Sequence, residues 1–395
     1  MILDFLRIIF YVLLALVSVP VITLLIQVII SLLPYKNKPF VKGLLPKVTI
    51  LIPAHNESTG IIQTLLSINA QVEHNVSILV VADNCNDDTA QVARQYGAEV
   101  IERFNDIKRG KGYALDFGIQ HLKNNPPEIV LVLDADCLLA KDAISTLVVD
   151  TVKYKTPIQG LYLMYSAIDS PLKAKIAEFA WVVKNWVRPL GFYRLGLSCQ
   201  LMGSGMAFPW VVISQVNLAS GHIVEDMKLG VDLAKLNLAP RFCPEALITS
   251  QFPTSEEGVK TQRTRWEHGH IGMIIKEGPF LVWLGIKQMN IKMLSIALDM
   301  CVPPLALLIL GITALSLFST VMMIMTNRFL PWGYAFIDLF LVGIAVMLAW
   351  YKFGKSILSF SVLLMAPIYV LVKIPLYIKF IFKRQSEWVR SKRDS

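Results

Sequence analysis

From Phe5 to Leu33 the sequence is apolar almost throughout, with Arg7 near its start and Pro20 in its middle. The hydrocarbon core of a bilayer asks for about 20 such residues, so this run is long enough to cross it, tilted or kinked at Pro20. A cleaved leader would have an apolar part of about 7–15 residues ending at small residues. Pro34-Tyr35-Lys36 is no such end. Residues 1–34 are therefore expected to be a transmembrane anchor. Lys36, Lys38, Lys42 and Lys47 follow with no acidic residue before Glu57, which by the positive-inside rule places the next part of the chain on the cytoplasmic side.

Composition supports a membrane protein. Hydrophobic residues make up 54% of the chain and charged ones 17%, against about 25% charged in a soluble globular protein. A disordered chain is excluded on the same ground. The net charge of +9 reads as basic flanks facing anionic lipid. A nucleic-acid binder would gather its Lys and Arg in one stripe with interleaved aromatics, and no such run exists, so no nucleic-acid partner is expected. The five cysteines are scattered, odd in number and without CxxC or zinc spacing, as reduced thiols on the cytoplasmic side would be. A bacterial inner membrane is the expected location, with membrane lipids as neighbours.

Apolar character returns in residues 279–382. Residues 280–292 look interfacial, given Trp283, Lys287 and Lys292. Ile296–Met325 and Tyr334–Trp350 read as spans. Ile357–Phe382 is apolar but broken by Pro367, Lys373 and Pro375, so it is a third span or a re-entrant segment. The basic tail, 383–395, is expected on the cytoplasmic side. A transporter or non-catalytic scaffold is a competing class, but a transporter places polar residues inside its spans, and here only Asp338 lies well within one.

Residues 44–278 have ordinary globular composition. Val48–Ile52, Val76–Ala82 and Ile129–Leu133 are short apolar runs that end in polar residues, as buried parallel strands do. Helical stretches lie between and after them, at Glu57–Ile68, Thr89–Tyr96 and Tyr113–Lys123. That alternation predicts an α/β domain with a mostly parallel, doubly wound sheet, inserted between transmembrane and interfacial helices. Ligands bind such sheets beyond the carboxyl ends of the strands, so the residues closing each strand matter most.

Those residues are acidic. Asp83 closes one strand, Asp134-Ala135-Asp136 follows another, and Glu225-Asp226 opens a helix. Asp134 and Asp136 could share a hard cation such as Mg²⁺, which takes one or two carboxylates and leaves its other positions to water and phosphate; a helix-capping loop would look the same. Gln262, Arg265 and Trp266 stand at i, i+3 and i+4, so a helix would turn them to one face, an Arg fork for diphosphate beside an indole for stacking. An amphipathic helix with Trp266 in the core is the alternative. Lys108-Arg-Gly-Lys111-Gly112 could wrap phosphates, though it is not a P-loop, and a solvated turn fits equally.

Taken in order, the Pro53-Ala-His-Asn-Glu57 strand end, Asp83, Asp134-x-Asp136, Glu225-Asp226 and Gln262-x-x-Arg265-Trp266 resemble the membrane-integrated family 2 glycosyltransferases. That group includes cellulose, hyaluronan and poly-N-acetylglucosamine synthases and ceramide glucosyltransferase. The resemblance implies a GT-A nucleotide-sugar domain and inverting transfer from a UDP-sugar to a growing polysaccharide or, alternatively, to a lipid acceptor. It implies that Glu57 and Asp83 meet the uridine half of the donor, Asp134 and Lys111 the diphosphate and sugar, and Asp136 with Asp134 a Mg²⁺ or Mn²⁺ ion. Asp226, beside Glu225, would be the general base and Arg265 would stabilise the leaving group. Gln262, Trp266 and the segment Gly203-Ser204-Gly205 would form the acceptor and product end. Val224 stands where many relatives have Thr, which leaves the carboxylate pair intact. A helper subunit or a homo-oligomer would complete an export path that few spans could not line alone.

Overall fold

The computed structural model describes residues 2–34, 45–71, 74–167, 169–327 and 329–382, with side chains from Ile8 onward. Lys36, Lys38, Lys42 and the tail 383–395 lie outside the described residues. The described residues divide into two compact units, one within 2–34, 170–196 and 270–382, the other within 45–169 and 197–269.

The second unit is built on a sheet of eight strands: β1 (Val48–Ala54), β2 (Val76–Asp83), β3 (Glu99–Arg103), β4 (Ile129–Val132), β5 (Leu138–Leu139), β6 (Ile158–Tyr165), β7 (Met206–Pro209) and β8 (Arg241–Gln251). Their order is β3-β2-β1-β4-β7-β6-β8-β5. β1 to β4 pair parallel. The sheet is mixed rather than uniformly doubly wound, because β7 runs antiparallel to both β4 and β6. β1 and β4 are buried along nearly all their length, as strands covered on both faces must be. Helices Gly60–Asn69, Thr89–Gln95 and Lys111–Leu122 follow β1, β2 and β3. The first starts three residues later than the sequence pattern indicates, since Asn56 takes a left-handed conformation (φ 54°) and holds Glu57 in the loop.

The other unit is helical. Among the described residues, three helices are long and apolar enough to cross a membrane: Ile8–Ser31, Leu305–Thr326 and Leu330–Gly354. Four expectations are corrected here. Ile296–Met325 is not one span: one helix ends at Cys301 and the next begins at Leu305, because Pro303 and Pro304 have no N–H to donate. No boundary falls at 278/279. A single 32-residue helix, Glu256–Lys287, runs through Pro279, which forgoes only the bond to the exposed Ile275. The interfacial stretch 280–292 is thereby split between that helix and the next, which Asn290 caps by accepting from the Met293 N–H at 3.1 Å. Finally, Ser170–Gly196, read from sequence as part of the catalytic domain, belongs to the helical unit. Residues 360–382 form three short helices, none of them long enough to span.

Within this unit a buried polar cluster joins three helical segments. Asp299 Oδ1 accepts from Gln27 Nε2 at 2.7 Å and from the Arg188 guanidinium at 3.1 and 2.8 Å. Arg188 also donates to the Asp299 carbonyl, and both side chains are less than a tenth exposed. Buried ions of opposite sign persist when each is fully bonded in this way.

Candidate active site

The parallel register aligns the carboxyl ends of β2, β1 and β4 side by side, Ala54 opposite Ala82 and Leu51 opposite Val132. Each strand releases its chain into a short polar loop at that edge. Beyond it lies a cleft of about 630 Å³ whose lining includes Glu57, Asp83, Asp134, Asp136, Lys111, Glu225, Gln262 and Arg265. Eight of the residues singled out in the sequence, from six separate segments, thus meet at one place.

The loop geometry is fixed by backbone bonding. The Glu57 N–H donates to Thr89 Oγ1 at 2.8 Å and the Asn86 N–H to Asn56 Oδ1 at 2.8 Å. Thr64 Oγ1 donates to the Ala135 carbonyl at 2.8 Å, tying the Asp134–Asp136 turn to the helix after β1. Lys111 opens its helix inside the cleft. Its ammonium pairs with Asp134 and donates to the Gly203 carbonyl at 2.7 Å. Burial pulls the Lys111 pKa down, but the charges of Asp134, Glu225 and Asp226 outweigh it and hold the ammonium protonated beyond its ordinary range. Burial raises the Glu225 carboxyl, and the neighbouring Asp226 raises it further, against Lys111 and Arg265.

The cleft carries an excess of negative charge. Six carboxylates line it (Glu57, Asp83, Asp106, Asp134, Asp136, Glu225) against three cations (Arg109, Lys111, Arg265). A phosphorylated ligand would be repelled unless a further cation entered with it. One place suits such a cation: ligand atoms of Asp134, Asp136 and Cys137 lie within 4.8 Å of one another. Burial, then the charges of Asp136 and Asp134, push the Cys137 thiol well above its ordinary pKa. Asp134 and Asp136 are hard oxygen donors, a pair suited to Mg²⁺ or Mn²⁺.

Some predicted residues fall elsewhere. Trp266 does not line the cleft although Gln262 and Arg265 do: consecutive helical residues are turned by about 100°, so Arg265 and Trp266 diverge. Ser204 is fully buried and cannot meet an acceptor directly. Its hydroxyl accepts from the Asp134 N–H at 3.0 Å and donates to Cys137 Sγ at 3.2 Å, bracing the acidic turn from behind. Gly205 is packed against Ile248, where a Cβ would stand 2.5 Å from its side chain. Only the Gly203 carbonyl of this segment reaches the charged groups. Asp226 also lies outside the cleft lining and faces a smaller adjoining cavity.

The sequence reading missed Arg103, Asn84 and Asp106 and held His55 and Arg109 only as members of longer motifs; all of these but Arg103 line the cleft. Arg103 pairs with Asp83 at 2.5 Å, both about a tenth exposed, and donates to the Lys108 carbonyl at 2.6 Å. His55 Nδ1 meets the Asp83 carbonyl oxygen at 2.6 Å. Even so, burial of Asp83 outweighs Arg103 and its carboxyl is raised. The signal for Arg103 was strand register, which sets it directly beside Asp83.

The model for glycosyltransferase-like family 2 matches residues 46–269. A Bacillus subtilis (strain 168) protein described as probable glycosyltransferase YdaM is 26% identical over 243 residues, which is 59% of this chain and 57% of that protein. A 4,4'-diaponeurosporenoate glycosyltransferase of Staphylococcus aureus (strain USA300) is 39% identical over 104 residues, 25% of this chain and 27% of that one. The match thus spans little more than half of the first relative's length and about a quarter of the second's. Among solved structures, the mannosyltransferase PcManGT of Pyrobaculum calidifontis, in complex with GDP-Man and Mn²⁺, is similar with a TM-score of 0.49 and 16% identity, covering 86% of this chain and 99% of that one.

Proposed function

The chain belongs to glycosyltransferase-like family 2 and is an enzyme of that class, and from that premise we propose that it moves a sugar, with inversion, from a UDP-sugar to an acceptor hydroxyl at a membrane. The observation that carries this reading is the single cleft in which Asp83, Glu57, Asp134, Asp136, Lys111, Glu225 and Arg265 meet. The sheet order β2-β1-β4 supports a run from the nucleoside end, at Asp83 and Glu57, to the diphosphate end, at Asp134 and Asp136. Asp134 and Asp136 would hold Mg²⁺ or Mn²⁺, which when bound offsets the charge of the departing diphosphate. Lys111 and Arg265 supply fixed positive charge at the same end, preorganised because both side chains are anchored on helices.

Inversion is one displacement. The acceptor oxygen bonds to the anomeric carbon while the carbon–oxygen bond to the diphosphate breaks, and the bonding pair leaves on the diphosphate. The acceptor proton passes to Asp226 as general base, so no nucleophilic side chain is needed. We place a growing polysaccharide first as acceptor, with a helper subunit or a homo-oligomer completing the export path. A single lipid acceptor is the second reading. It is favoured by the three candidate spans, few for a private channel, and by the relative named for 4,4'-diaponeurosporenoate. The catalytic unit would face the cytoplasm of a bacterial cell, with the helical unit in the inner membrane.

The test is UDP release by the purified protein in detergent across a panel of UDP-sugars with Mg²⁺ or Mn²⁺. Release with one sugar, lost in Asp134→Ala, is the expected result. No release and no donor binding with either metal would end the reading. Sizing the product then separates polymer from single transfer.

A further inference from the structure

Gln159 stands on β6, opposite Met206 of β7 and beside Phe242 of β8, and is fully buried. It does not line the cleft. A buried amide needs partners for both of its ends, and this one finds them on its own strand and on the segment that leads into β7. Oε1 accepts from the Met202 N–H at 2.8 Å. Nε2 donates to the Ser204 carbonyl at 2.8 Å and to the Gly160 carbonyl at 2.9 Å. These partners fix the orientation of the amide: turned over, it would set its oxygen against two carbonyls. The bonds to residues 202 and 204 clasp the chain on either side of Gly203, whose φ of 94° a side chain would resist.

The clasp presents two groups to the charged site. The Gly203 carbonyl accepts from Lys111 Nζ at 2.7 Å. The Ser204 hydroxyl accepts from the Asp134 N–H at 3.0 Å. Lys111 and Asp134 pair with each other, so both members of that ion pair are anchored on residues that Gln159 holds.

We propose that Gln159 is a positioning residue, which sets the Lys111 ammonium for the donor diphosphate by holding the Gly203 peptide in place. The inference rests on the reading above, in which Lys111 meets the diphosphate, and adds the residue that places it. A lysine ammonium is a point charge on a flexible stem and has no geometry of its own. Its charge serves a phosphorylated ligand best when nothing must be rearranged as the ligand arrives. Asp134 gives the ammonium one anchor, and the Gly203 carbonyl gives the second that fixes it. No other side chain replaces the clasp. A carboxylate could accept from Met202 but has no proton for the Ser204 and Gly160 carbonyls, and an apolar residue would leave all three groups unpaired.

The test compares the binding of UDP and of uridine, each with Mn²⁺, by the whole chain in detergent. Only UDP carries the diphosphate that Lys111 would meet. Gln159→Met removes the clasp, and Gln159→Glu keeps its acceptor while losing its donor. Each should weaken UDP about tenfold and leave uridine within about twofold. In a Lys111→Met background, itself weakened for UDP, neither should cause a further loss, because two residues that act through one ammonium do not add. Equal weakening of UDP and uridine, additive losses in the double variants, or an unchanged UDP affinity would each overturn the positioning role. Failure of both variants to fold would do the same, leaving Gln159 a group of the core alone. A wild type that binds neither ligand would instead fail the nucleotide-sugar reading.

Discussion

Each unit gathers a cluster of charges, and the two clusters are built on opposite principles. In the helical unit one carboxylate meets one guanidinium, and Asp299 Oδ1 takes every donor aimed at it from Gln27 and Arg188. In the cleft, six carboxylates face three cations. Charge in the first cluster is balanced internally. In the second it is not, and on the proposed function a cation arriving with the substrate would balance it. A balanced buried pair holds structure, whereas an unbalanced one stores an affinity, and the arithmetic of nearby charges separates the two without reference to any motif.

The largest effect comes from removing the stored affinity. Asp136→Ala should lower transfer by several kcal/mol, on the order of 10³-fold, with the thermal midpoint unchanged or raised because like-charge repulsion falls. A lowered midpoint would place Asp136 with Asp299 as a structural group. The converse is Asp299→Ala, which strands Arg188 and should cost about 3–5 kcal/mol of stability, read by thermal unfolding in detergent. Arg188→Met combined with Asp299→Leu should recover most of that loss; failure to recover would mean the pair does more than satisfy itself.

A smaller effect tests the boundary between the two principles. Asp83 is paired with Arg103 yet lies in the cleft, so Arg103→Lys, which loses the planar fork, should raise the donor KM about tenfold with kcat little changed. Equal loss in both would move Arg103 into the chemical step. The smallest effect concerns Glu225, whose carboxyl is raised above its ordinary 4.5 by burial and then by Asp226. The folded state therefore binds its proton more tightly than the unfolded chain does, and stability falls as pH rises from about 4.5 through the raised value. Glu225→Gln should flatten that fall in the thermal midpoint; an unchanged slope would mean other groups set it.

Much of the cleft was legible in the sequence because strand ends announce themselves. The runs closing at Asp83 and before Asp134 are apolar on both faces, and only the sheet's carboxyl edge gives such strands polar company. Helical spacing joined Gln262 to Arg265 in the cleft, and Trp266, one residue on, does not line it. Nothing local marks Arg103 as the partner of Asp83, twenty residues away: only the parallel register sets them side by side. The role of Ser204 as a brace was hidden for the same reason, its bonds running to Asp134 and Cys137 across the β4–β7 junction. The break at Pro303-Pro304 was written in the residues, and apolar continuity masked it.

One feature of the chain path bears on how this protein is made. β6 and β7 are neighbours in the sheet, Ile158 opposite Ala207, yet the residues between them make a detour through the helical unit. There Gly191 lies so close to the Gln27 carbonyl that a Cβ would stand 2.0 Å from its oxygen, and Arg194 donates to the carbonyls of Ile30 and Ser31 at the end of the first helix. That first helix leaves the ribosome well before the detour and waits for it. The last strands of the sheet are synthesised only after the detour has emerged to meet it. A piece cut at 44–278 for soluble expression would carry residues 172–194 without the surface they were made to meet, so this enzyme's catalytic half is not a detachable module.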